Sequence, residues 1–345
     1  MANFPPRYVV SWPFRLVWPS LRGGEGLDRA PLRAKIDDGA GKPAARIVVL
    51  GDLGATPNAR PLACDPTLRE LIASADLVVA NCEGPVMRRP RNLATRSGLR
   101  HAIEPDHLAG LLAALGVETK RLVLGLANNH ILDQGTVGLA ETLNHLKAMG
   151  VRSVGAGMAG PVPTLTVSAG LVDITLVAFT RWRNGGDAAY RRHVALQDAL
   201  EPDDWRVVRE EAARGGLTCV LPHWDWEFRH FPRPQTRRLA RELAGKGATL
   251  IVGSHPHVLQ PLERVDDALI AYGIGDLAGC LHERQPWPTR LSGMLSVDVD
   301  RAGRLLGYEL TPVVRLRGER SDRLVPVSAR SNGASANRVA LLFPP

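Results

Sequence analysis

Leu122-Val123-Leu124-Gly125-Leu126-Ala127-Asn128-Asn129-His130 is the stretch on which the fold turns. Its first half, 122–126, is a short unbroken apolar run, the pattern of a strand covered on both faces, as in parallel sheets. Its second half, Asn128-Asn129-His130, is poor turn chemistry, and its side chains are of the kinds that bind metals or move protons. Outward from it the same pairing recurs. Further apolar runs lie at 47–50, 77–80, 171–179, 217–221, 249–252 and 269–272. The residues that follow five of them are Gly51-Asp52, Asn81-Cys82-Glu83-Gly84-Pro85, His223-Trp224, Gly253-Ser254-His255-Pro256-His257 and Gly275-Asp276.

Between the runs, helix-like segments are expected at 67–75, 106–115, 136–149, 203–214 and 234–245, with Asp106 and Thr136 of N-cap type and Gly116 and Gly150 placed to end helices. Runs at 294–299 and 305–314 flank the turn sequence Asp300-Arg301-Ala302-Gly303 and read as a hairpin. Alternating strands and helices indicate a layered α/β domain, spanning about 46–320. Residues 1–45, rich in Pro, Gly and Arg and without a sustained period, read as an N-terminal extension, and 321–345 as a C-terminal tail.

Composition narrows the partners. The 345 residues carry 43 basic and 35 acidic side chains, a net charge of +8, which favours anionic partners. No block of like charges or aromatic–basic alternation supports nucleic-acid binding. The four cysteines, Cys64, Cys82, Cys219 and Cys280, lack metal or redox spacing and read as small core residues. No apolar run reaches the length of a membrane span, and the start, interrupted by Pro13 and Arg15, lacks a signal-peptide pattern. A cytoplasmic location is expected, with 1–22 available for peripheral contact with a membrane or partner.

In open α/β sheets ligands bind beyond the carboxyl ends of the strands. Alone, each polar group has a plainer explanation: Asp52 and Asp276 as turn residues, Glu83 as a helix cap, His223 as a core histidine. All at strand ends together, they point to a metal centre. Imidazole, carboxylate and an Asn carbonyl suit Mn, Fe or Zn. Glu83 is of a type that bridges two ions, and His130 is placed to protonate a leaving group.

The same residues carry a resemblance. Gly51-Asp52, Asn81-Cys82-Glu83-Gly84-Pro85, Ala127-Asn128-Asn129-His130-Ile131-Leu132-Asp133-Gln134-Gly135, Leu221-Pro222-His223-Trp224 and Gly253-Ser254-His255-Pro256-His257-Val258-Leu259-Gln260 resemble the capsule-synthesis CapA (poly-γ-glutamate synthesis) family, which is similar in fold to the calcineurin-like metallophosphoesterases. The resemblance implies a four-layer αββα sandwich with mixed sheets. It implies Asp52, Glu83, Asn129, His223, His255 and His257 as ligands of one or two divalent transition-metal ions, Glu83 bridging, and His130 as proton donor. The sequence departs from the family at Leu53-Gly54-Ala55-Thr56-Pro57, at Cys82, at Asp225 where Gly is usual, and at Asp276 where Asn is usual. The expected function is a metal-dependent hydrolase of a phosphoester or amide-type bond in capsule or polyanionic polymer metabolism. The alternatives are a non-hydrolytic accessory protein of the capsule machinery that binds the polymer, and a metal-free interaction module. Arg181, Arg183, Arg284 and Arg290 are candidates to meet an anionic small molecule or polymer, or to be solvated surface charges.

Overall fold

A computed structural model of the chain describes residues 3–37, 42–54, 61–90, 100–199, 206–279, 286–328 and 333–344. The apolar runs form two mixed sheets. The larger follows the order Asp276–Ala278, Asp52–Gly54, Leu77–Glu83, Ala45–Leu50, Leu291–Val299, Leu305–Leu316, Asp322–Pro326, Leu62–Cys64. Leu122–Gly125 and Arg152–Val154 extend it in parallel beside 77–83, and Arg33–Lys35 pairs antiparallel with 305–316. The smaller runs Leu262–Val265, Ala268–Ala271, Leu250–Val252, Leu217–His223, Val172–Thr180, Thr164–Ala169. Its four inner strands are parallel and both edge strands antiparallel.

The sheets share one hydrophobic core, and a cavity of about 20 Å³ lies between them, lined by Val49 and Val79 of one and Ala178 and Leu221 of the other. Pro66–Ala73, Pro105–Leu115 and Gly135–Ala148 lie on the larger sheet's side, and Arg206–Ala213 and Pro234–Gly245 on the smaller's. The order is helix, sheet, sheet, helix, the four layers expected. Proline sets four helix starts, since its missing N–H falls among groups that have no helical partner anyway: Pro6, Pro66, Pro105 and Pro234 each open a helix. Asp106 therefore sits within the first turn, not at the cap. Gly116 and Gly150 take φ of 74° and 70°, the left-handed conformation that ends a helix.

The segment read as an extension is joined to the body. Its helix Pro6–Val17 turns Tyr8 and Arg15 inward, at 0% and 6% exposure, with half-buried Trp12 between them at helical spacing. Pro13 hides this period in the sequence; inside the helix it removes one backbone donor and its ring crowds the carbonyl four residues before it, so burial of the inner face has to hold the helix together. The segment 321–345 likewise contributes the strand Asp322–Pro326 and a helix, Gly333–Leu342, that buries Leu342. Cys82 and Cys219 are buried; Cys280 lies outside the described residues. Among the described residues no helix is long and apolar enough to cross a membrane.

Candidate metal centre

Parallel pairing brings the carboxyl ends of the central strands to one edge. Glu83 and His223 are the last residues of their strands, and Asn128-Asn129-His130 follows 122–125. Asp52 opens a strand directly after Gly51, where a Cβ would meet the Gly275 carbonyl oxygen at 2.2 Å. Only glycine lets the chain pass so close to Gly275, whose oxygen accepts from Asp52 N at 2.9 Å, and this draws Asp52 beside Asp276. His255 and His257 follow 250–252 with φ of 91° and 56°, a left-handed backbone that non-glycine residues hold only under constraint. The constraint is visible: Ser254 N donates to Pro222 O at 3.0 Å and Phe228 N to Pro256 O at 2.8 Å.

All seven residues singled out from the sequence are buried and converge here. Ligand-type atoms of Glu83, His223 and His255 lie within 4.8 Å of one another, as do those of Asp52, Glu83, His257 and Asp276, and those of Glu227, His255 and His257. Glu83 belongs to two of these sets and divides its oxygens between them. Oε1 lies 3.6 Å from His223 Nε2, and Oε2 lies 3.5 Å from His257 Nδ1. Asn129 Oδ1 is 2.8 Å from His223 Nε2, directed there because Asn129 Nδ2 donates to Asn184 Oδ1 at 3.2 Å. His223 Nδ1 meets Ser254 Oγ at 2.8 Å, and His257 Nδ1 meets Asp276 Oδ1 at 2.8 Å.

Within the protein the cluster is unsatisfied. Asp52 Oδ2, Glu83 Oε1, His257 Nε2 and both nitrogens of His255 are buried without a hydrogen-bond partner, an arrangement that native interiors avoid unless an ion completes it. Burial, then the charge of Asp276, pushes Asp52 up to about 7, and burial raises Glu83 well above the carboxylate range. Burial, reinforced by neighbouring imidazoles, lowers His223 and His255. Burial opposes charge on His257 as well, but Glu83 and Asp276 outweigh it and raise that imidazole. Mixed nitrogen and oxygen donors with orphaned lone pairs fit divalent transition metals.

His130 stands beside these sets. Its Nδ1 lies 2.6 Å from Asp133 Oδ2, and Asp133 Oδ2 also accepts from His101 N at 2.7 Å. The His101 ring stacks on that of His130, with centroids 3.4 Å and planes 2° apart. Asn184 Nδ2 also lies 3.2 Å from His130 Nδ1, so Asp133 and Asn184 together hold that nitrogen and leave Nε2 for proton exchange.

Sequence patterns did not single out Glu227, Asp133, His101 or Asn184. Asp133 lies in the quoted Asn-Asn-His block, and Asp276 was visible at a strand end; for Glu227 and His101 no local signal exists. Asp225 is fully buried, and Arg233 holds it through its backbone N at 3.0 Å and Nε at 2.5 Å. Arg183 pairs with Asp187 at 2.8 Å, Arg181 lies beside Trp182, and Arg290 ends the turn Trp287–Arg290. Arg284 and residues 55–57 lie outside the described residues.

The family described as "Bacterial capsule synthesis protein PGA_cap" matches residues 55–279. The PGA biosynthesis protein CapA of Bacillus subtilis is 28% identical over 249 residues, 70% of this chain and 62% of that protein. The capsule biosynthesis protein CapA of Bacillus anthracis is 27% identical over 213 residues, 59% of this chain and 51% of that protein. The chain thus spans between half and two thirds of the length of these relatives. Among solved structures, a novel phosphatase from Mycoplasma pneumoniae aligns with TM-score 0.47 and 14% identity, covering 78% of this chain and 93% of that one. A 5'-nucleotidase precursor from Thermus thermophilus aligns with TM-score 0.44 and 18% identity, covering 86% of this chain and 58% of that one. Likeness of that degree carries no assignment of activity.

Proposed function

Because the chain belongs to the bacterial capsule synthesis protein PGA_cap family, we propose that it is a metal-dependent hydrolase acting on a phosphoester or amide-type bond in the metabolism of an anionic, poly-γ-glutamate-like polymer. The observation that carries this is Glu83, whose two oxygens face two different donor sets. Glu83, His223, His255 and Asn129 would hold one divalent ion, and Glu83, Asp52, His257 and Asp276 a second. Such ions supply an activated water and charge stabilisation. The chain supplies orientation and protons. Ser254 and Asp276 fix the rings of His223 and His257. Asp133 and the stacked His101 hold His130 so that Nε2 can protonate the departing group. Arg233 neutralises Asp225, so the departure from glycine there adds no net charge to the cluster.

The test is metal content by elemental mass spectrometry in wild type and Glu83→Ala, with hydrolysis of a phosphodiester and of poly-γ-glutamate followed in parallel. Near-stoichiometric transition metal that falls in the variant together with turnover is the expected result. No metal after incubation with Mn, Fe or Zn would overturn the proposal. The charge of +8 favours a second function, a polymer-binding accessory protein; full metal loading with salt-sensitive polymer binding and no turnover would select it. Peripheral association has its support in the outer face of the helix Pro6–Val17 and the residue after it, where Val10, Phe14, Val17 and Trp18 are exposed.

A further inference from the structure

A cavity of about 900 Å³ lies beside the metal centre, between the N-terminal segment and the helix Pro234–Gly245. Four guanidinium groups line it, those of Arg7, Arg181, Arg233 and Arg238, with Arg233 already paired to Asp225, against one lining carboxylate, Asp198. That carboxylate is already paired, with Arg191 at 2.8 Å and Arg183 at 3.3 Å. Two indoles, Trp182 and Trp226, complete the lining, each with a guanidinium over it: Arg181 at 5.4 Å and Arg233 at 4.7 Å. The Trp182 ring is 5.9 Å from that of His255, so a single ring separates the cavity from the metal donors.

The near wall comes from residues before the family match. Asn3 Nδ2 donates to Arg181 O at 2.7 Å, and Arg183 N donates to Asn3 Oδ1 at 3.0 Å. Trp12 Nε1 donates to Glu227 Oε2, and Arg15 Nε to Glu227 O at 2.9 Å. Phe4 stacks on Trp182 at 4.7 Å. The N-terminal helix is thereby tied to a carboxylate of the metal centre.

We infer that this cleft binds a polycarboxylate chain and that the N-terminal segment forms one of its walls. Guanidinium groups recognise carboxylates in planar pairs, and the partly exposed indole of Trp226 adds apolar surface that suits methylene groups, Trp182 being buried beneath Phe4. Guanidinium groups spaced around one apolar surface suit a chain in which carboxylates alternate with short aliphatic stretches. This deepens the function proposed above by naming its polymer subsite, and rests on it only for where the chain leads.

The test measures binding of a fluorescent poly-γ-glutamate oligomer to the full chain at low and high salt, with metal content measured on the same samples. Arg7→Glu with Arg238→Glu alters two exposed side chains on facing walls. The control, Arg214→Glu with Arg301→Glu, makes the same charge change in a second cavity that also holds Gly216 and Ala302, at the amino ends of the strands and away from the site. The cleft pair should weaken binding at least tenfold and flatten its salt dependence, with metal content unchanged and the control near wild type. Equal loss in both pairs, unchanged binding in the cleft pair, or wild-type preference for inorganic polyphosphate would each overturn the inference. Absence of metal in every sample would instead defeat the hydrolase proposal and leave the binding result standing.

Discussion

Replacing Gly253 by alanine tests how the histidine loop is held. The backbone there tolerates a side chain, so the only objection is space. The new Cβ would meet Tyr272 O at 2.1 Å and Trp224 Nε1 at 2.2 Å, where ordinary contact begins at 3.4 Å. Those two atoms are hydrogen-bonded to each other at 2.8 Å, and both residues are buried. The methyl group must open the loop by about 1 Å and break that bond. Overpacking costs about 1–3 kcal/mol, and a buried indole N–H left unpaired about 1–3 kcal/mol more. The sum, roughly 2–6 kcal/mol, is a large share of the about 5–15 kcal/mol that stabilises a typical domain. Ser254, which positions His223, and His255 follow at once, so metal affinity should fall at least tenfold. Equilibrium urea unfolding, followed by tryptophan fluorescence, should show a lower midpoint at unchanged slope. Gly110, inside Pro105–Leu115 with nothing near its Cβ position, is the control: alanine there should stabilise by up to about 1 kcal/mol. A Gly253→Ala protein within about 0.5 kcal/mol of wild type would show that the loop does not pass this close, because substitutions away from such features stay within that range.

Two further outcomes are expected. Asp133→Asn removes the carboxylate that orients His130; kcat should fall on the order of a hundredfold with metal content intact, and an unchanged kcat would show that proton donation by His130 does not depend on Asp133. His230 is buried, with Nδ1 on Leu259 O at 2.9 Å and Nε2 against Arg338 at 2.5 Å; burial, then Arg338, lowers it to about 3. The unfolded chain therefore binds this proton at higher pH than the folded one. The stability that neutral His230 preserves is present above about pH 6.5 and is lost as pH falls toward about 3. His230→Gln should reduce the slope of unfolding free energy against pH, between about pH 4 and about pH 6, by up to about 1.4 kcal/mol per unit. Urea titrations at several pH values measure it, and equal slopes would mean that His230 titrates alike in both states.

The strand-end residues were legible because the rule that exposes them is local. A parallel strand covered on both faces reads as an apolar run, and the residue after it must emerge at the sheet's carboxyl edge. Asp52, Glu83, Asn129, His130, His223, His255 and His257 all satisfy it. The helix at 6–17 was not legible, since Pro13 breaks its apolar pattern and Arg15 is a charge that only burial over Tyr8 and Trp226 explains.

By itself, then, the sequence determined that parallel strands would carry imidazoles and carboxylates to one edge, because side-chain period and strand polarity are properties of a single segment. Tertiary structure decided which of them meet. Glu227 reaches His255 and His257 only through left-handed turns at Asp225 and Phe228, with φ of 62° and 61°. Asp276 joins Asp52 because Gly51 lets two distant strands touch, and His101 stacks on His130 through an approach of separate loops. The arginine cleft needs residues 3–7 folded back against 233–238. Contacts between segments far apart in the chain depend on the packing of the whole core, and no local period records them.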